Sequence, residues 1–352
     1  MSQDLKPGAI SKLRDLVPRQ LAAIDAIKSF VAEMIEARNG EATDDAETLP
    51  SEYWRYFCFA MEYVRALPAS QFKSLRLHTY HVDGETYQQV FFGERDHYAA
   101  RYQRFTAGLP ERYWLSAPQA CGEFGHLIDG RLVNDSVLRW QELVQRLFRA
   151  GVLARLEDCR QPEILEIGAG YGALPYQLQR LLPSVRYTIL DLPETLLLSG
   201  SYLTLLHGPE GVAPVRSSVE LSEARAGQAR FFLVPNHGLG WLRECRFDLA
   251  INIQSFQEMT AQQLDRYLSF LAPRAELLLS DNQDRQQRNR DDPRVSAALG
   301  AYFSLQELVR ASQTGFPALL ETVAARVLGR PRYPPVRRYL ARPLPRAHES
   351  GP

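Results

Sequence analysis

The chain has 352 residues, 45% of them apolar and 23% charged, the make-up of a globular protein with room for two domains or one elaborated domain. Its 41 Lys and Arg balance 41 Asp and Glu, so no long-range field draws it to nucleic acid or to an anionic membrane, and neither is expected as a partner. There is no run of about 18 apolar residues to span a bilayer. The N-terminus lacks the basic-then-apolar layout of a signal peptide, and Cys58, Cys121, Cys159 and Cys245 show no Cys-x-x-Cys spacing, so a cytoplasmic protein with reduced thiols is expected.

Leu13, Leu16, Val17, Leu21, Ile24, Ile27, Val31, Met34 and Ile35 recur at helical spacing and predict a helix from about Ile10 to Arg38. A polar loop to Thr48 precedes an aromatic-dense helix from Tyr53 to Leu67, stopped by Pro68. Its Trp54, Tyr56 and Phe57 are expected to be buried against the core or a second subunit. Residues 71–113 are mixed. Residues 1–120 therefore read as a mainly helical N-terminal lobe that covers the active site, mediates homodimerisation, or both. Residues 121–345 read as the core and 346–352 as a disordered tail.

Asn134-Asp135-Ser136 offers an N-cap before the helix that begins near Val137. Ile164, Leu165 and Ile167 predict a buried strand, which meets Gly168, Gly170 and Gly172 and then a helix with Pro175 in its first turn. A second apolar run ends at Asp191. Pro193 opens the helix Glu194–His207, which Gly208 can end. Arg230–Val234, Phe247–Ile253 and Glu276–Ser280 read as the third to fifth strands, and Arg337–Arg342 as the last. Thr260-Ala-Gln-Gln263 has capping-box form before the helix between the fourth and fifth. Strands alternating with helices imply an α/β fold with a parallel, right-handed crossover sheet. The charged stretch from Gln283 to Arg294 reads as a mobile loop at the active site.

Glycines at a strand-to-helix turn let backbone approach a ligand closely, and an acid ending the next strand can grip a ribose diol. Gly168, Gly170, Gly172 and Asp191 thus predict an adenosine-containing cofactor. Gly168, Gly170 and Ala173 also satisfy the dinucleotide fingerprint, which keeps a nicotinamide or flavin as the alternative. Glu166 opposes it: a carboxylate two residues before the first glycine repels a pyrophosphate but favours the sulfonium and ammonium of S-adenosylmethionine.

Glu166-Ile-Gly-Ala-Gly-Tyr-Gly172, Asp191-Leu-Pro193, Phe247-Asp-Leu-Ala-Ile-Asn-Ile-Gln-Ser-Phe-Gln-Glu-Met259 and Leu279-Ser-Asp-Asn282 follow one another with a characteristic spacing. Over roughly Cys121 to Asn282 the chain resembles the class I S-adenosylmethionine-dependent methyltransferases, and more narrowly the sugar O-methyltransferases of natural-product and surface-glycan gene clusters. The resemblance implies a Rossmann-like core with a mostly parallel seven-stranded sheet. It implies O-methylation of a sugar hydroxyl or glycosylated small molecule. Methylation of nitrogen, carbon or a phenolic oxygen is the alternative, since Asp191-Leu-Pro193 also resembles phenol O-methyltransferases.

In that setting Glu166, Gly168, Gly170 and Gly172 hold the methionine part of the cofactor. Asp191 accepts the ribose hydroxyls with Leu192 beside it, Asn236 bonds the adenine amino group, and Asn252 lies near the transferred methyl. Asp191 has a competing role as a cap of the helix that follows. The N-terminal lobe is expected to take no part in binding the adenosine and to close over the acceptor.

Methyl transfer from a sulfonium mainly needs an acceptor oxygen positioned and deprotonated. The acids after the fourth and fifth strands, Glu258 and Asp281, lead as general bases, with Glu258 equally readable as a helix brace. His237 and His126 come next. A divalent metal held by Glu258, Asp281 and Asp284 is open but not favoured, because no metal-ligand spacing joins them.

Overall fold

The computed structural model describes residues 9–41, 46–86, 88, 90, 93–284, 294–308 and 336–345. It divides into two compact units, residues 1–245 and 246–352. Of the expected loop Gln283–Arg294, Gln283 belongs to a strand, and residues 285–293, like the tail at 346–352, lie outside the described residues.

In the first unit, strand β1 (Ala9–Ile10) pairs antiparallel with β2 (Phe124–Ile128), which turns back into β3 (Arg131–Val133). The first helix, α1, runs Pro18–Glu41 and does not begin near Ile10 as its apolar spacing suggested. Proline at 18 explains the difference: its missing N–H and fixed φ suit a first helical residue, and it disfavours helix in the residue before it.

The aromatic stretch is broken at Met61 into α2 (Glu52–Ala60) and α3 (Glu62–Ala66). Ser51 caps α2 by accepting from the Trp54 N–H. Within the described residues this helix is only partly buried against the chain itself, and its burial against a second subunit is not tested by one chain. Tyr56 is 67% and Phe59 77% exposed, and Trp54 and Phe57 are half-buried. The rings of Tyr53, Trp54 and Phe57 pack mainly on one another, with centroids 4.8–6.1 Å apart.

Next come α4 (Tyr80–Asp83), α5 (Arg95–Thr106), α6 (Asp135–Arg149) and α7 (Val152–Asp158). Asn134 caps α6 by accepting from the Val137 N–H at 2.9 Å, as its sequence indicated.

Strand–helix alternation then begins with β4 (Glu163–Ile167), α8 (Ala173–Leu181), β5 (Arg186–Asp191) and α9 (Pro193–His207). It continues with β6 (Val212–Pro214), α10 (Ser218–Ala226) and β7 (Phe231–Pro235). These four strands are parallel in the order β4-β5-β7-β6, and the short β6 is an addition to those the sequence indicated.

Helix α9 packs on both α1 and β7. Gly200 allows the approach: a Cβ there would lie 2.7 Å from Leu233 Cδ1 and 3.3 Å from Ile27 Cγ2, both side chains buried. Gly200→Ala is expected to destabilise the protein despite the gain in helix propensity, since forcing a methyl into a filled core costs about 1–3 kcal/mol. A lowered midpoint of urea unfolding checks this.

The second unit carries β8 (Leu249–Ile253), α11 (Ala261–Leu271), β9 (Leu278–Gln283), α12 (Val295–Gly300), β10 (Phe303–Glu307) and β11 (Val336–Pro343). The capping box at Thr260 and Gln263 is present. Strand order is β10-β11-β9-β8, with β8 and β9 parallel and β11 antiparallel to both its neighbours. Strands fully buried along their length, such as β7 and β8, are those of a sheet covered on both faces. The fold is α/β and Rossmann-like, as expected.

Candidate cofactor and catalytic residues

In the first unit, β4 ends at the turn that carries the glycines. Gly168, Gly170 and Gly172 have φ of +78°, +58° and +91°. All three lie in the left-handed region, where a side chain is strained, and the turn delivers the chain into α8.

Glu166, one residue before the end of β4, is 2% exposed and accepts from the Tyr187 hydroxyl at 2.7 Å. Burial pushes its carboxyl up to about 8, against the Tyr187 hydrogen bond, so at neutral pH it holds its proton. A group with a raised folded pKa contributes stability that is full below the unfolded value near 4.5 and lost as pH rises through 8. Glu166→Gln, which cannot ionise, is therefore expected to flatten the decline in melting temperature between pH 5 and pH 8. Thermal melts of both proteins across that range measure it.

Asp191 ends β5. Its Oδ1 accepts from the Leu192 N–H at 2.8 Å and the Thr195 hydroxyl at 2.7 Å, the capping role open to it. Oδ2 is enclosed and, among the described residues, accepts no hydrogen bond of good geometry, although the Gly170 and Ala169 amides lie close enough to stabilise the carboxylate. Burial raises this carboxyl to about 6, opposed by Thr195 and by the backbone amides of Leu192, Gly170 and Ala169. The residues thus fit an adenosine moiety on two counts, an enclosed carboxylate oxygen without a well-formed hydrogen bond and a glycine turn open to backbone approach. Leu192 is the residue before the first turn of α9.

Asn236 and His237 follow β7, whose Pro235 is in register with Asp191. Asn236 donates to the Thr48 carbonyl at 2.5 Å, and its Oδ1 is enclosed and has no hydrogen-bond partner among the described residues. His237 is lowered to about 4, first by burial and then by the charge of Arg38, so it is neutral at physiological pH. His126, the other histidine considered, is buried on β2 with its ring against Tyr98, well within the N-terminal part of this unit.

Residues invisible to sequence reasoning come from the N-terminal segment. Arg76 is buried and ion-paired with Asp83, Glu85 and Glu123 at 2.7, 2.6 and 3.2 Å. Its guanidinium lies 4.3 Å from the ring centroid of Tyr171, the residue between Gly170 and Gly172. A Cβ added at Gly170 would lie 3.9 Å from Val82 Cβ of α4. Arg38 of α1 forks onto both carboxylate oxygens of Glu194, each at 2.8 Å. None of these residues sits in a recognisable motif, because each is brought to the glycine turn or to α9 from far away in the chain. A cavity of about 650 Å³ lined by Ile10, Lys12, Lys73, Gln119 and Cys121, among others, contains none of the expected site residues.

In the second unit, Asn252 is fully buried and its amide is committed inside the protein. It donates to Ser255, and its oxygen accepts from the Phe256 N–H and from Asn282. It braces the turn after β8, where Gln254 holds the left-handed φ of +55°, unusual for a residue with a side chain. Glu258 is half-buried in the single helical turn Phe256–Glu258.

Asp281 on β9 is 3% exposed, and its Oδ2 accepts from Arg338 Nε at 2.5 Å across the β9–β11 ladder. Its Oδ1 is enclosed and has no hydrogen-bond partner among the described residues. Asp284 pairs with Arg337 at 3.4 Å. Among the described residues no group of three or more His, Cys, Asp or Glu is placed to hold a metal ion.

No family profile and no curated protein matches the chain. Among solved structures it is similar to an O-methyltransferase family protein from Burkholderia thailandensis, at 11% identity and TM-score 0.32, over 61% of this chain and 62% of that one. It is similar to mitomycin 7-O-methyltransferase at 16% and 0.33, over 59% and 57%. It is also similar to magnesium protoporphyrin IX methyltransferase from Synechocystis PCC 6803 with bound SAM, at 16% and 0.32, over 70% and 94%. The chain spans less than two thirds of the length of the first two.

Proposed function

We propose that the protein is an S-adenosylmethionine-dependent O-methyltransferase whose acceptor is a sugar hydroxyl or a glycosylated small molecule. One observation carries the cofactor part: an enclosed Asp191 Oδ2 without a well-formed hydrogen bond stands at the end of β5, with the three left-handed glycines after β4. Asp191 accepts the ribose hydroxyls, the glycine turn receives the methionine portion, and Asn236 Oδ1 accepts from the adenine amino group. Leu192 lies along the same edge. Glu166 shapes the turn from beneath, and a cation bound nearby favours its ionised form.

The acceptor's proton goes to a carboxylate. Asp281 is the leading base, since Oδ1 has no hydrogen-bond partner among the described residues while Arg338 fixes the other oxygen. Glu258 is second. His237 follows Asn236 in the chain, which favours a role on the adenosine side over one at the acceptor. Asn252 serves as a brace.

Calorimetry with S-adenosylhomocysteine and with NAD tests the cofactor, with tighter binding of NAD overturning the reading. Turnover assays on sugar, phenol and amine acceptors test the acceptor class, and exclusive turnover of phenols or amines would replace the sugar. Activity is expected to survive chelation, and its loss with recovery on magnesium would replace the side-chain base by a metal. The exposed rings of α2 suit a homodimer, which light scattering checks.

A further inference from the structure

We infer that Arg38, on the last turn of the N-terminal helix α1, is a cofactor-contacting residue whose Nε–H donates to an acceptor atom of the adenosine. The inference rests on the cofactor reading above. Arg38 is 4% exposed, and its two terminal nitrogens are taken up by the Glu194 carboxylate. A guanidinium forked in this way presents its Nε–H in a third, fixed direction. That atom is enclosed and, among the described residues, has no hydrogen-bond partner. A buried charged donor without an acceptor costs folding free energy, so an unfilled position in an otherwise complete fork points to a ligand.

The surroundings specify which ligand. Asp191 Oδ2, Asn236 Oδ1 and His237 Nδ1 are likewise enclosed and, among the described residues, without a well-formed hydrogen bond. Glu194 lies three residues beyond Asp191 on α9, and the register of Asp191 with Pro235 sets Asn236 one residue further along β7. Glu194 stands in the first turn of α9, so the fork anchors Arg38 within one helical turn of Asp191. One fixed donor and two fixed acceptors therefore gather at the ends of β5 and β7. Adenosine is the complement: its ribose hydroxyls and amino group donate, and its ring nitrogens and ribose oxygens accept. Glu194 cancels the charge of Arg38, so Asp191 leaves the locality net negative and suited to a sulfonium-bearing ligand. The N-terminal segment thus builds part of the adenosine pocket, which its sequence gave no reason to expect.

Calorimetry on the full chain tests this with S-adenosylhomocysteine and with 5′-methylthioadenosine, which lacks the amino acid. Arg38→Lys keeps a cation for Glu194 and removes the Nε donor. It is expected to weaken both ligands by a similar factor of roughly ten to a hundred, the range of a charge-assisted hydrogen bond, with some fall in melting temperature because lysine meets Glu194 as a point charge in place of the fork. Wild-type affinity for both ligands in that variant overturns the inference while leaving the cofactor reading standing. A wild-type protein that binds neither ligand overturns both. A crystal structure of the wild-type complex with S-adenosylhomocysteine decides it independently of any variant. Arg38 Nε within about 3.2 Å of an adenosine nitrogen or oxygen supports the contact, and a greater separation overturns it.

Discussion

Replacing Asp191 by alanine is expected to weaken S-adenosylhomocysteine at least roughly tenfold, because two ribose hydroxyls lose a charged acceptor worth about 1.5–3 kcal/mol per hydrogen bond. The wild-type protein should show the same dependence through pH. Its carboxyl is raised to about 6 by burial, and only the ionised form accepts from both hydroxyls. Affinity should therefore be level above pH 7 and fall as pH drops through 6, by up to about tenfold per unit. Thr195 remains in the variant, but Asp191 Oδ1 accepts from its hydroxyl and from the Leu192 N–H, so some loosening of the start of α9 is expected as well. Asp191→Asn separates the two effects, since it keeps an oxygen for the cap and removes the charge. Unchanged affinity in both variants, measured by calorimetry at pH 7.5, would falsify the ribose assignment.

Asp281→Asn is expected to lower turnover on the true acceptor by about a hundred- to ten-thousandfold, the usual contribution of general-base catalysis, while leaving cofactor affinity as it was. The change is nearly isosteric, but it also leaves Arg338, only 13% exposed, without its carboxylate. A fall in melting temperature is therefore expected alongside the loss of rate. The two causes are separated by Arg338→Met, which breaks the same ion pair and keeps the carboxylate. If Asp281 is the base, this second variant retains more activity than the first. Equal losses in both would reduce Asp281 to a structural partner of Arg338 and move the search to Glu258, whose Glu258→Gln variant is the next to assay.

Local chemistry made much of the chain legible without coordinates. The alternation of short apolar runs with capped helices gave the strands β4, β5, β7, β8 and β9. The caps at Asn134 and Thr260 and the stop at Gly208 read correctly because each depends on neighbours within four residues. Gly168, Gly170, Gly172 and Asp191 stood out because close backbone approach and bidentate acceptance demand particular residue types at a particular spacing. Where spacing misled, a local competitor won: Pro18 set the start of α1 against an apolar pattern that began earlier. Tertiary structure alone decided the rest. Whether the rings of α2 are buried depends on what packs against them, and among the described residues Tyr56 and Phe59 stay exposed. Asn252, polar and well placed by sequence, has its amide engaged by Ser255 and Asn282, neighbours that only the folded chain identifies. Arg38 and Arg76 carry no motif, since an ion pair across 156 residues of chain leaves no local trace, and only folding brings them to Glu194 and Tyr171.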